Sequence, residues 1–175
     1  MIYEPSDDSY LLEKYVKKFA KGKSVLDIGS GSGIQAMSAL NAGASSVLAS
    51  DINPEVISFL KERGIPSRQS NLFEKISGKF DLIVFNPPYL PEDKREDKSS
   101  KLTTTGGKKG DEIILRFLGK VRSHLNGKGV VLLLLSSLTP KDKISLLLKE
   151  NGFKKEVLEK KNFFMESLEV WKISS

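Results

Sequence analysis

Short apolar runs alternate with helix-period segments along this chain, and that alternation limits the fold more than any single motif does. Ser24–Ile28, Val47–Asp51, Phe80–Phe85 and Val130–Leu135 are each five or six residues long. Apolar runs of that length suit strands buried in a sheet better than helices. Residues 8–20 carry Leu11, Leu12, Tyr15, Val16 and Phe19 on one helical face, with Asp7 and Asp8 at the start, where the helix dipole favours them. Ile34–Ala42 reads as a helix ended by Gly43. Asn53 caps another, with Pro54 at its first position and Gly64 past its end. Pro66–Ser70 is a weak, polar third strand, and about Leu90–Lys109 is a long polar loop. Gly110–Leu125 predicts a helix that turns Ile113, Ile114, Phe117, Leu118 and Val121 inward. Thr139-Pro140 opens a last helix running to Asn151. Phe153–Lys160 and Leu168–Ile173 are close enough in sequence to pair antiparallel. The pattern predicts an α/β fold: seven strands in a mostly parallel sheet with one antiparallel C-terminal strand and helices on both faces. At this length, residues 1–175 are expected to form one domain.

Composition removes several classes of function. The net charge is +6 and the pI about 9.4, which favours an acidic partner. Lys and Arg are spread along the chain, so nucleic acid, a ribosome-associated protein and an ordinary solvated surface all stay open. There is no cysteine and a single histidine, His124, so neither disulfides nor a structural zinc site is expected, and no metal. The longest apolar run, Val130–Leu135, is too short to span a bilayer. Met1–Pro5 lacks a basic-then-apolar signal pattern, and cytoplasmic placement is expected.

Two loops carry chemistry. Phe80–Phe85 runs into Asn86-Pro87-Pro88-Tyr89. The prolines lack N–H groups, and the residue before a proline is pushed out of the helical region. The loop therefore offers acceptors, here the Asn86 side-chain oxygen and the Pro87 carbonyl, which suit the two hydrogens of a planar NH₂ group. Tyr89 would lie beside that group. The other loop follows the first strand: Val25-Leu26-Asp27-Ile28 enters Gly29-Ser30-Gly31-Ser32-Gly33. A glycine turn there lets a ligand approach the backbone. The spacing departs from G-x-G-x-x-G, with Ile34 where the last glycine belongs, which argues against a pyrophosphate. Asp27 is a carboxylate at a buried strand end that needs a partner, and a ligand ammonium would supply one. Asp51, ending the second strand, is placed to accept from ribose hydroxyls. Asn71-Leu72, closing the third, could pair with an adenine amino group. An ammonium, a ribose and an adenine together describe S-adenosylmethionine.

Leu26–Gly33, Asp51-Ile52-Asn53-Pro54 and Asn86–Tyr89 together resemble the class I, Rossmann-like S-adenosylmethionine-dependent methyltransferases of the HemK type, which methylate the side-chain amide of a glutamine in translation release factors. Tyr3–Leu12 and Gly106–Asp111 are similar to the eukaryotic and archaeal branch, which acts on the Gly-Gly-Gln motif of the class 1 release factor. The resemblance implies cofactor contacts at Ser9, Asp27, Gly29, Gly31, Asp51, Asn71, Leu72 and Asn86. It implies substrate contacts along Asn86, Pro87, Pro88 and Tyr89, with Asn86, Pro87 and Tyr89 serving catalysis. The family usually has Asp where this chain has Asn71, so the cofactor contact there would lack a charge. The branch also implies a small zinc-binding activator protein along one sheet edge, for which the polar strand near Pro66–Ser70 is the candidate.

An amide nitrogen is a poor nucleophile, and the motif loop offers no strong base; His124, near a helix end, reads as a surface residue. Rate would come from placement and electrostatics. Three other functions remain open on the residues alone. A flipped adenine or guanine also presents an exocyclic NH₂, although no concentrated basic stripe accompanies it. A lysine ammonium fits two acceptors less well and would need a base. A non-enzymatic scaffold would have no use for Asp27, Asp51 and Asn86. The run Glu92–Lys98 reads as a solvated loop or as a lid.

Overall fold

A computed structural model describes residues 4–88, 105, 107, 108 and 110–175. Tyr89, most of the Leu90–Lys109 loop with its charged run Glu92–Lys98, and Gly106 lie outside the described residues. The elements are α1 (Asp7–Phe19), β1 (Ser24–Ile28), α2 (Ile34–Asn41), β2 (Ser46–Asp51), α3 (Pro54–Glu62), β3 (Ser67–Gln69) and β4 (Phe80–Phe85). There follow α4 (Glu112–Val121), β5 (Leu125–Ser136), α5 (Asp142–Glu150), β6 (Lys154–Asn162) and β7 (Ser167–Ser174). No helix among the described residues is long and apolar enough to cross a membrane.

The seven strands form one sheet in the order β3-β2-β1-β4-β5-β7-β6. β1 pairs in parallel with β2 and β4, β2 with β3, and β4 with β5. β7 runs antiparallel to both its neighbours, as the closely spaced C-terminal pair of apolar runs predicts. Side chains alternate across the strands, so each face has its own core. Val25, Leu132 and Leu134 face one way, onto Leu12 and Val16 of α1, Ala36 and Ala39 of α2 and Leu60 of α3. Leu26, Val131, Leu133 and Leu135 face the other way, onto Ile114, Phe117, Leu118 and Val121 of α4 and Ile144 and Leu148 of α5. Helices on both faces follow from this two-sided burial.

Two predicted boundaries move. The helix of Gly110–Leu125 is shorter: α4 ends at Val121 and tightens into a 3₁₀ turn, Arg122–His124, before β5 begins at Leu125. β5 is longer than Val130–Leu135 because the polar Asn126-Gly127-Lys128-Gly129 tract stays in the strand. It is taken up by a register irregularity against β4 between the Phe80 and Leu82 pairs, and Asn126 Nδ2 donates to Asp81 Oδ1 at 2.8 Å. Hydrophobic periodicity cannot register such an irregularity, since glycine and lysine interrupt the run. His124 is half-buried, stacked on Phe73 at 4.6 Å, with its Nδ1 3.1 Å from the Gly78 carbonyl.

The strand order reverses at β1. β2 and β3 lie to one side of it, β4 and β5 to the other, so a crevice opens at the carboxyl ends of β1 and β4, where ligands bind in sheets of this kind.

Candidate functional site

β1 delivers Asp27 to that crevice. The residue is 2 % exposed, and its Oδ2 has no hydrogen-bond partner. Burial pushes its pKa up from 3.8 to about 7, against hydrogen bonding from Ser30 and the Ala36 backbone, with a smaller contribution from the nearby Asp51 charge. The turn that follows is braced by Ser30: its N–H donates to the Ser50 carbonyl at 2.9 Å, its hydroxyl donates to the Asp27 carbonyl at 2.9 Å, and the Ser50 N–H donates to its Oγ at 3.1 Å. Gly29 and Gly31 have φ of +67° and +50°, and Gly33 has +80°. A Cβ on Gly33 would stand 2.5 Å from Leu60 Cδ2, so the close approach of turn and α3 requires glycine there.

Asp51 ends β2 beside this turn. Its Oδ2 accepts from the Gly31 N–H at 3.1 Å and its Oδ1 from the Asn53 N–H at 2.9 Å. Burial raises its pKa, and these backbone donors oppose the rise. Each carboxylate oxygen keeps a second lone pair for a ligand hydroxyl. Asn71 and Leu72 follow β3. The Asn71 amide donates to Glu74 Oε1 at 2.9 Å and its Oδ1 accepts from Arg116 at 3.4 Å, so its polar atoms are engaged within the protein. Leu72 is buried with φ +51°, the one non-glycine residue with positive φ among the described residues. Strain of that kind tends to be kept where a backbone must meet a ligand.

β4 delivers Asn86. Its Nδ2 donates to Asp8 Oδ2 at 3.0 Å, while its Oδ1 is buried and has no partner. Pro87 is buried and Pro88 half-buried; Tyr89 lies outside the described residues. Asp8 is the residue that sequence reasoning missed. Counted there only as a dipole-favoured helix start, it is 5 % exposed, whereas Asp7 beside it is exposed. Its Oδ1 accepts from the Ser9 N–H at 2.7 Å, the Ser9 hydroxyl at 3.2 Å and the Ser6 hydroxyl at 2.5 Å. Ser9, read as a cofactor contact, is buried in this same cluster, and its carbonyl accepts from Gln35 Nε2 at 2.9 Å, tying α1 to the start of α2. If the Asn86 amide turned over, its oxygen would face the Asp8 carboxyl oxygen, acceptor against acceptor. Asp8 therefore selects the orientation that aims Oδ1 away from itself. No sequence periodicity links two residues so far apart in the chain.

Carboxyl ends of β1, β2 and β4 thus present two buried, unpartnered oxygens, Asp27 Oδ2 and Asn86 Oδ1, on either side of the crevice. An anionic ligand group would be repelled by Asp27 and Asp51. A cation with polar hydroxyls fits, because an ammonium would satisfy Asp27 and hydroxyls could share Asp51.

Comparison with known proteins points the same way. The model of the methyltransferase small domain family matches residues 7–165. Over 164 residues the chain is 41 % identical to a Methanocaldococcus jannaschii protein that carries the name protein N5-glutamine methyltransferase, covering 89 % of this chain and 83 % of that one. The human methyltransferase HEMK2 is 28 % identical, over 99 % of this chain and 89 % of its own length. Among solved structures, the Mtq2–Trm112 complex of E. cuniculi is described as responsible for methylation of the translation termination factor eRF1. It aligns with a TM-score of 0.81 at 26 % identity, covering 99 % of this chain and 98 % of that one.

Proposed function

Since the chain belongs to the methyltransferase small domain family, among the HemK-type S-adenosylmethionine-dependent enzymes, we propose that it methylates the side-chain amide nitrogen of a glutamine, in a Gly-Gly-Gln motif of a class 1 translation release factor. The observation that carries this reading is the buried, unpartnered Asn86 Oδ1, held outward by Asp8. A lone buried acceptor calls for a donor from the substrate, and a carboxamide NH₂ provides two. Relatives named for glutamine methylation and for release-factor methylation support the same substrate.

S-adenosylmethionine, when bound, supplies a methyl group on a sulfonium sulfur. Asp27 would hold its ammonium and Asp51 its ribose hydroxyls, with Gly29 and Gly31 letting the backbone come close. Asn71 would have to release Glu74 or Arg116 before meeting the adenine, and Leu72 is the better placed of that pair to offer backbone. Asn86 Oδ1 and the Pro87 carbonyl bind the two substrate N–H hydrogens and fix the amide plane. As the nitrogen loses its share in the carbonyl resonance, its N–H bonds grow more acidic, and the two acceptors strengthen their hold as they do so. Stabilisation that grows toward the transition state lowers the barrier, and the N–H proton that the methylated nitrogen must give up leaves to solvent. Tyr89 would cover the substrate amide. A small zinc-binding activator protein would bind the chain at the β3 edge of the sheet, which is the polar, short edge strand predicted for it.

The test is transfer of a labelled methyl group to a purified class 1 release factor together with a co-expressed activator. Label is expected in the factor, lost when the Gln of Gly-Gly-Gln is replaced by Ala, and absent from total RNA and DNA. Label in nucleic acid, or in the factor lacking that glutamine, would overturn the reading.

A further inference from the structure

The two most exposed large apolar side chains among the described residues are neighbours in one turn. Phe164 and Met165, in the turn between β6 and β7, are 98 % and 79 % exposed. Leu138, just past the end of β5, is 46 % exposed. The two segments are braced together: the Ser137 N–H donates to the Ser167 carbonyl at 2.7 Å, the Ser167 N–H donates to Ser137 Oγ at 2.9 Å, and Ser136 Oγ donates to the Glu166 carboxylate. These side chains therefore stand on one supported rim and are not scattered.

Strand direction puts that rim beside the crevice. β7 is antiparallel to β5, and β6 to β7, so β6 ends at the same sheet edge as β1, β2 and β4. In the order β4-β5-β7-β6 the hairpin stands two to three strands from Asn86, about 10–14 Å across. Phe85 is level with Leu133, and Leu133 with Trp171. β7 begins at Ser167, so the turn rises about 13 Å beyond the level of Phe85. The exposed charge next to it is cationic. Lys160 and Lys161 are exposed and enter the turn, with the Lys161 ammonium 5.1 Å from the Phe163 ring. Glu166 is engaged by Ser136, and Glu169 is shared between Lys141 and Lys160 at 3.6 and 3.8 Å.

We infer that this hairpin tip, with Leu138, docks the folded body of the substrate protein, taking an apolar surface bordered by acidic side chains while the methyl-accepting loop reaches Asn86. The inference rests on the protein-substrate reading above. A nucleic acid would want a row of stacking aromatics along a cationic groove, and of the three exposed side chains only Phe164 offers a stacking face. A wall that rises past the site suits a bulky substrate whose accepting loop is only a small part of its surface.

The double variant Phe164→Ser/Met165→Ser tests this, because both side chains are in solvent and the core is untouched. Steady-state methylation is measured on an intact class 1 release factor and on a short peptide carrying its Gly-Gly-Gln sequence, with cofactor binding followed by titration calorimetry. KM for the intact factor should rise about tenfold or more, as for loss of two apolar anchors. Turnover number, peptide KM and cofactor affinity should not change. Lys161→Glu should also raise KM for the intact factor alone. Equal effects on peptide and factor, or no effect on either, with an active wild type, would overturn the docking role and leave the glutamine reading standing. A wild type that methylates neither substrate would overturn both. Loss of activator binding, or of a dimer in sedimentation, with an unchanged KM for the factor would assign the tip to those contacts and overturn the inference.

Discussion

Replacing Asp27 by Asn should stabilise the ligand-free protein while disabling its cofactor site, and the size of the effect follows from the burial of one carboxyl. Asp27 has a pKa of about 7 in the folded chain, against 3.8 when solvated. The folded state therefore holds this proton more tightly than the unfolded state does. Stability contributed by this group falls as pH rises from about 4 to about 7 and stays at its low value above that. At about 1.36 kcal/mol per pH unit, the gap amounts to about 4 kcal/mol lost at pH 8. Asn cannot ionise, so the variant avoids the loss. Its buried amide, lacking a partner for one atom, gives back about 1–3 kcal/mol. The net gain of about 1–3 kcal/mol should raise Tm by roughly 2–12 °C at pH 8 for a chain of this size.

The assay is the difference in Tm between variant and wild type, without cofactor, at pH 8 and pH 5. Taking a difference at each pH cancels the carboxyls whose pKa the fold lowers, such as Asp81, Glu159 and Glu169, which act in the opposite sense. The difference should be positive at pH 8 and near zero or negative at pH 5. In calorimetric titration the variant should lose cofactor affinity, and the wild type should bind about tenfold more weakly per pH unit below 7, since only ionised Asp27 pairs with an ammonium. A Tm difference of the same size and sign at both pH values would refute the claim that Asp27 is strained by desolvation.

Asp8→Asn should leave cofactor affinity and fold intact but cut turnover number by about 10- to 100-fold, the worth of a hydrogen bond to a charged group, because Asn can donate to Asn86 Oδ1 and turn the acceptor inward. Wild-type turnover in this variant would remove Asp8 from the site. Asn86→Ala should lose about 10²–10³ in turnover while still binding cofactor appreciably, as removal of one preorganised electrostatic contact does, read in a labelled-methyl assay. Gly33→Ala should destabilise by about 1–3 kcal/mol, because its Cβ would meet Leu60 at 2.5 Å at a φ of +80°; an unchanged denaturation midpoint would contradict the packing.

Most of the architecture was legible because burial on two faces leaves a strong trace. β1 and β4 were bounded correctly from their apolar runs alone, and the antiparallel C-terminal pair from its short connection. What was lost lay where chain geometry departs from regular period: the register irregularity that keeps Asn126–Gly129 in β5, and the 3₁₀ turn that shortens α4. At the site, Asp27 was legible as a carboxyl in need of a partner because its apolar neighbours announce burial. Asp8 was not. It sits next to Asp7 in an identical composition, and only the fold decides that one faces solvent and the other faces Asn86. Asn71 illustrates the converse, since its position after β3 was read correctly while its engagement with Glu74 and Arg116 depends on neighbours the sequence cannot place.

Among the described residues the buried side-chain atoms without partners are Asp27 Oδ2, Gln35 Oε1, Ser67 Oγ and Asn86 Oδ1. In a domain selected for stability alone such atoms would be paired or replaced, since each costs about 1–3 kcal/mol. Two of them stand at the carboxyl ends of adjacent strands, and a third, Gln35 Oε1, belongs to a side chain whose amide ties the Ser9 segment to the glycine turn's helix. Each also differs in what would relieve it. Asp27 calls for a positive charge, whereas Asn86 Oδ1 calls for a hydrogen-bond donor. Relief of the two is therefore separable: a ligand cation could satisfy Asp27 while Asn86 Oδ1 still awaits a donor. The order in which ligands bind would then follow from which oxygen each is able to satisfy.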